Sequence, residues 1–147
     1  MEPKNNDYAV ALIFRKFDNR KEIYLQKKDL GYPWFPGKWC IPGGKIESGE
    51  IPIQTLEREI KREELGNVID NVRYFMKHPY EDESEFGFRK GIQYVFICDF
   101  SGKLEELRIR EGGGFGFFAE QELQSVPIIR HDYEVIQEGY KALRNGF

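Results

Sequence analysis

The sequence predicts an α/β sandwich: a mixed sheet flanked by one helix in mid-chain and a second at the C-terminal end. Three observations carry that expectation. Strongly apolar stretches of strand length lie at 8–17 and 92–100. The stretches 52–65 and 132–144 instead carry apolar residues at helical spacing. The resulting order, strands, helix, strands, helix, lacks the regular βαβ alternation of a dinucleotide-binding fold.

The chain has 147 residues, the size of one ordinary domain. No internal repeat, low-complexity tract or long linker divides it, so 1–147 is read as a single domain. Apolar residues make up 40% of it and charged residues 32%, enough for a core inside a well-solvated surface. The net charge of -3 argues against a general binder of extended nucleic acid. An acidic protein can still hold a polyphosphate if a metal ion lies between the two negative partners. Cys40 and Cys98 stand in apolar surroundings, do not form a Cys-x-x-Cys pair, and read as buried thiols in a reducing compartment. Residues 1–7 are polar and lack a signal core, and no run approaches the ~20 apolar residues of a membrane span. The expected setting is cytoplasmic, without membrane contact.

The elements follow in order. Residues 8–17 read as a buried strand, Asp18-Asn19-Arg20 as a turn, and 22–28 as the hairpin partner. Two glycines and two prolines among aromatics make 29–38 an ordered loop. A short extended piece, 39–41, enters Pro42-Gly43-Gly44. Pro52 suits a helix start, Ile53, Leu56 and Ile60 repeat at helical spacing, and Gly66-Asn67 ends the helix. A strand follows at 68–78, then a very acidic loop at 79–87 and a strongly apolar strand at 92–100. Residues 104–110 are read as a returning strand, Glu111-Gly112-Gly113-Gly114 as a loop, and 115–118 as a short extended piece. The stretch 132–144 is the C-terminal amphipathic helix.

Chemistry concentrates in Gly43-Gly44-Lys45-Ile46-Glu47-Ser48-Gly49-Glu50 and Arg58-Glu59-Ile60-Lys61-Arg62-Glu63-Glu64-Leu65-Gly66. A glycine-rich loop permits tight turns and close approach. The helix after it is rich in carboxylates, and Glu59 and Glu63, four apart, share a face. Oxygen-only ligands suit magnesium or manganese, which can bridge a diphosphate and activate water. Arg58 is placed to hold neighbouring carboxylates by charge-assisted hydrogen bonds. Glutamate mixed with lysine and arginine on a helix is more often a solvated face. The glycine-rich loop ahead of this helix shifts the balance toward a site.

Together the two pieces resemble the Nudix box. Its pattern is a glycine, five residues, a glutamate, seven residues, then Arg-Glu, an apolar residue, one further residue, Glu-Glu, one residue and a glycine. Gly44, Glu50, Arg58, Glu59 and Ile60 match in order and spacing. The resemblance implies a Nudix-type α/β/α sandwich in which the box helix and the C-terminal helix flank the mixed sheet. It also implies a pyrophosphohydrolase of the MutT type, acting with magnesium, or manganese in its place, on a small-molecule nucleotide. The catalytic candidates are Glu59, Glu63, Arg58 and Glu111. The metal-ligand candidates are Glu59, Glu63, Glu64, Glu111 and the Gly44 carbonyl. Glu111 enters because several family members carry an extra ligand or general base at a comparable place; a solvent-facing turn carboxylate is the equally weighted alternative. The acidic run 81–85 competes for that role and ranks below it.

One departure stands out. The pattern expects the glutamate pair directly after Lys61, and this sequence has Arg62 there, with Glu63-Glu64 following. In a regular helix, with Ile53 at zero, Leu56 and Ile60 fall near about 300° and 340°, the core face. Glu59 and Glu63 lie beside each other at about 240° and 280°, Glu64 points into the core at about 20°, and Leu65 points outward at about 120°. A π-bulge after Ile60 would instead bring Glu64 to about 280° and Leu65 to the core face at about 20°. Both registers keep Glu59 as a ligand candidate.

Beyond the box, Trp34 and Phe35 (with Tyr32) are candidates for stacking on a base, against the alternative of covering the core's edge. Lys38 and Arg89 (with Lys27 and Lys28) are phosphate-contact candidates in competition with ordinary surface roles. His78 and His131 show no catalytic or ligand spacing. A catalytically inactive Nudix-like nucleotide-binding or sensing domain is the alternative function, and Arg62 is its support. A P-loop kinase or GTPase is disfavoured, since Gly-x-x-x-x-Gly-Lys-Ser/Thr is missing. Neither the substrate nor the choice between monomer and homodimer is legible.

Overall fold

A computed structural model describes residues 6–63, 65–84, 87–102 and 113–147. Glu64, Glu85, Glu111 and the strand expected at 104–110 lie outside the described residues.

The first strand, β1 (Tyr8–Phe17), is the spine. Its residues from Ala9 to Phe14 are all buried. Val10, Leu12 and Phe14 face one cluster, which contains Val135, Ile136 and Tyr140 of the C-terminal helix. Ala9, Ala11 and Ile13 face the other, with Leu56 and Leu65. A strand covered on both faces must be apolar throughout, which is why its sequence shows no alternation. The chain turns back into β2 (Arg20–Lys27) through Asp18 and Asn19, whose φ angles of 51° and 61° define a two-residue turn matched to strand twist.

Next come the short β3 (Trp39–Cys40) and β4 (Gly43–Lys45), helix α1 (Pro52–Arg62), and the long strands β5 (Ile69–Ser84) and β6 (Gly87–Phe100). The chain closes with β7 (Phe115–Ala119), a 3₁₀ turn (Glu120–Ser125) and α2 (Arg130–Arg144). The sheet runs β3-β2-β1-β6-β5, with β4 also paired to β1 and β7 to β2. The β1–β6 pair is parallel and the other strand pairs are antiparallel. With α1 on one face and α2 on the other, the expected α/β sandwich on a mixed sheet is present. Among the described residues, no helix is long and apolar enough to cross a membrane.

Two expectations need correction. The stretch 79–87 is not a loop over its described residues. Pro79 to Ser84 pair with Gly87 to Ile92 as the far arm of the β5–β6 hairpin. Tyr80 and Asp82 point inward there, while Glu81 and Glu83 are exposed. The box helix is also shorter than 52–65. It ends at Arg62, with Glu63 as its C-cap.

Candidate active site

The glycines of β4 are fixed by crowding. β4 lies antiparallel to β1, with Gly43 opposite Val10 and Gly44 opposite Ala9. A Cβ at position 43 would enter the β1 backbone, and one at position 44 would collide with the Glu59 carboxylate. Glycine at 44 therefore lets the strand lie directly against the acid projected by α1.

Helix α1 begins where Pro52 needs no N–H partner and Gln54 Oε1 accepts the Ile51 N–H at 3.0 Å. The buried Thr55 hydroxyl donates to Glu50 Oε1 at 2.9 Å. Glu50 is in turn held by Arg58, whose Nε and Nη2 donate to its two oxygens at 2.8 and 3.0 Å. The same guanidinium donates to the Lys45 carbonyl at 2.9 Å and to Glu59 Oε1 at 2.8 Å. Arg58 thus ties the glycine loop, the pre-helix acid and the helix acid to one planar group, a geometry a lysine could not reproduce.

The hydrogen bonds from Arg58, supported by the Glu47 amide, pull the Glu50 carboxyl down from 4.5 to about 2. A depressed carboxylate contributes stability above its unfolded value that is lost as pH falls through the folded one. Thermal melts should therefore show Glu50→Gln less stable than wild type at neutral pH. That gap should close as pH falls from 4.5 towards 2, and a gap independent of pH would contradict the pairing.

Glu59 is buried and both of its oxygens are engaged. Oε1 accepts from Arg58, and Oε2 accepts from Arg62 Nε and Nη2 at 2.9 and 2.7 Å. Arg62 Nη2 also reaches Glu63 Oε1 at 3.1 Å, and Gln26 Nε2 lies 3.4 Å from Glu63 Oε2. Past Arg62 the helix closes with a wide turn in which the Leu65 amide donates to the Ile60 carbonyl, five residues back, at 2.9 Å. Leu65 is 2% exposed and packs with Leu56 and Val68. The core-facing Leu65 that a bulge would provide is thus reached by ending the helix instead.

Arg62 and Glu63 form part of the wall of a cleft of about 290 Å³. Gln26, Lys27, Lys28, Tyr32, Cys40 and Gly43 continue that wall, and Tyr80, Arg89, Gln93, His131 and Asp132 line its other side. This second side is a buried polar network. Asp132 Oδ2 accepts the Ile41 amide at 3.1 Å, and Oδ1 accepts from Gln93 Nε2 at 2.8 Å. Burial raises the Asp132 pKa. His131 Nδ1 lies 2.9 Å from Asp82 Oδ1, and Arg89 Nε donates to Asp82 Oδ2 at 2.9 Å. Burial pushes Asp82 upward, but His131 and Arg89 outweigh it and its pKa is lowered. Burial also lowers the Lys28 pKa.

Of the candidates outside the box, Arg89 lines the cleft and lies over the Trp34 ring at 4.3 Å. Trp34 and Phe35 are half-buried behind this wall, Phe35 with its ring edge-on to His131. Lys38 is exposed and is not part of the cleft lining. Sequence reasoning passed over Gln93 and Asp132, set His131 aside, and weighed Asp82 only as part of the acidic run 81–85. Asp82 and His131 are partners across 49 positions, and no local spacing announces such a pair. The one available signal was the in–out alternation of Tyr80, Glu81, Asp82 and Glu83. Cys40 and Cys98 are free thiols, and burial pushes both up to about 12.

The donor chemistry fits a hard divalent cation. Glu59 and Glu63 converge on the point now spanned by Arg62, with Gly44 packed against Glu59. Magnesium is commonly held by one or two carboxylates, with water and phosphate oxygens completing its shell. Among the described residues, no three Asp, Glu, His or Cys side chains are already arranged to hold a metal ion.

This fold, an α/β/α sandwich with an acidic helix beside a polar cleft, has a clear kinship. The NUDIX domain model matches residues 6–138, and the chain belongs to the Nudix family. It is 33% identical over 81 residues to an 8-oxo-dGTP diphosphatase of Haemophilus influenzae, across 55% of this chain and 56% of that protein. It is 59% identical over 32 residues to the nucleoside triphosphatase NudI of Escherichia coli, across 22% of each. These matches therefore span about half the length of the first relative and under a quarter of the second. The NUDIX domain of Shewanella oneidensis NrtR, solved with ADP ribose, superposes with a TM-score of 0.74 at 15% identity, covering 97% of this chain and 90% of that one. A mutT/nudix family protein from Listeria innocua gives 0.74 at 19% identity, covering 98% and 97%. At those identities the structural likeness concerns the fold alone.

Proposed function

We propose that this chain is a single-domain Nudix pyrophosphohydrolase that cleaves the pyrophosphate bond of a nucleoside diphosphate derivative with magnesium, or with manganese in its place. The observation that carries the reading is that Arg62 joins Glu59 to Glu63, which lines the cleft, with Glu59 fixed by Arg58 and backed by Gly44. Glu59, Glu63 and the Gly44 carbonyl would hold the cation, with Glu64 and Glu111 as further candidates. When bound, the ion neutralises the diphosphate and lowers the pKa of attacking water.

The chain's own residues do the rest. Arg58 holds Glu59 in place through its bond to Oε1. Lys27 and Lys28 on the cleft wall offer positive charge to phosphate oxygens, as does Arg89. The network of Gln93, His131 and Asp132 offers donors and acceptors to the polar edge of a nucleoside, and the Tyr80 ring offers it a flat face. The named activities of the Haemophilus and Escherichia relatives favour a nucleoside triphosphate among the substrate classes. Free thiols at Cys40 and Cys98 accord with a reducing, cytoplasmic setting.

The test is a panel of nucleoside triphosphates, oxidised nucleotides, nucleotide sugars and dinucleoside polyphosphates, incubated with magnesium and analysed for products. Cleavage between phosphates of at least one class is the expected result. Arg62 between the two acids gives the inactive sensor its one specific support. Tight binding across the panel with no product would establish that reading instead.

A further inference from the structure

Arg62 stands where the family pattern carries an acid, which changes the local charge by two units. Its side chain is 45% exposed, whereas those of Glu59 and Glu63 are 9% and 14% exposed. A half-exposed cationic head therefore lies across two nearly buried carboxylates. Through Nε and Nη2 on Glu59 Oε2, and Nη2 again on Glu63 Oε1, it takes up acceptor oxygens of both acids that a divalent ion would need. Arg58 already engages the other Glu59 oxygen. Two positive groups thus face one buried carboxylate, and a cation arriving there must displace one of them. Arg58 also holds Glu50 and the Lys45 carbonyl and is the less exposed of the two, 34% against 45%, so Arg62 is the group that yields.

We propose that Arg62 is a resident cation of the site. It competes with the divalent ion for Glu59 and Glu63 in the substrate-free protein and turns to a substrate phosphate when the ion enters. It is a positioning residue that couples ion binding to diphosphate binding. The cleft wall it already forms is where such a phosphate would lie, and a guanidinium suits a phosphate with two parallel hydrogen bonds. Mutual assistance of this kind is a coupling between two ligands and holds in both directions. The proposal rests on reading α1 as the ion-holding helix.

The test is Mn²⁺ titration of wild type and Arg62→Gln, followed by electron paramagnetic resonance and calorimetry. Each protein is titrated alone and again with α,β-methylene-ADP, a diphosphate resistant to hydrolysis between its phosphates. Circular dichroism melts establish that the variant is folded, and Glu59→Gln serves as the ion-site control. Arg62→Gln is expected to bind Mn²⁺ alone about tenfold more tightly than wild type. The diphosphate is expected to tighten Mn²⁺ binding more in wild type than in the variant. Equal or weaker Mn²⁺ binding by Arg62→Gln, with binding abolished in Glu59→Gln, would overturn the role of Arg62 and leave the ion site standing. Absence of Mn²⁺ binding in wild type and variant alike would overturn both the ion-holding reading of α1 and the inference built on it.

Discussion

Replacing Glu59 with glutamine is expected to lower kcat/KM by about 10³-fold, the scale of loss when a group acting directly on proton or charge transfer is removed. The side chain keeps its shape, so Gly44 still packs against it. An amide oxygen can still accept from Arg58, which also retains Glu50 and the Lys45 carbonyl. What is lost is charge, together with one acceptor facing Arg62. An amide nitrogen turned toward that guanidinium sets donor against donor. The stability cost is therefore modest, about 1–3 kcal/mol, and the variant remains folded. Steady-state kinetics beside a thermal melt separates the two effects. A folded Glu59→Gln protein with full turnover would remove Glu59 from the reaction.

Leu65→Ala is the largest expected loss of stability, about 3 kcal/mol for emptying a buried leucine site. Leu65 is 2% exposed, beneath the end of α1 and against Leu56 and Val68. A helix continuing regularly through position 65 would turn this side chain to solvent, where truncation costs little. Denaturant unfolding of Leu65→Ala thus reads the path of the chain directly. A midpoint unchanged from wild type would mean that the helix does not end in the wide turn closed by the Leu65 amide and the Ile60 carbonyl.

That turn marks where the sequence stopped being legible. The start of α1 could be read because Pro52 and the spacing of Ile53, Leu56 and Ile60 are local signals. Its end could not, because periodicity records which face is buried and not where the hydrogen-bond ladder is abandoned. Strand β1 was legible because burial on both faces leaves a continuous apolar run, and the Asp18-Asn19 turn because those residues tolerate positive φ. The far arm of the β5–β6 hairpin was mistaken for a loop because its charge outweighed its alternation. Asp82 is balanced there by Arg89 on the paired strand and is also within hydrogen-bond distance of His131 from α2.

The candidate site divides in the same way. Gly44, Glu50, Arg58 and Glu59 announce themselves in one short segment, and the structure joins them in a single hydrogen-bonded group. Arg62 was visible as an irregularity, and its contacts show a charged group shared between two acids. The opposite wall of the cleft draws Gln93 from β6 and His131 and Asp132 from α2, each unremarkable in its own sequence neighbourhood. An acid in the first turn of a helix ordinarily interacts with the helix dipole. Asp132 instead accepts from Ile41 and Gln93, partners supplied by tertiary contact.

The central claim is that this acidic helix directs water onto a pyrophosphate bond. Its most direct test is turnover of the nucleotide panel in ¹⁸O-labelled water with magnesium, by wild type and Glu59→Gln side by side, with products weighed by mass spectrometry. Wild type is expected to give a nucleoside phosphate and its phosphate-bearing partner, with one ¹⁸O on a single phosphorus, and Glu59→Gln almost no labelled product. Labelled product at equal rates from both proteins, or label found on carbon rather than phosphorus, would contradict the claim.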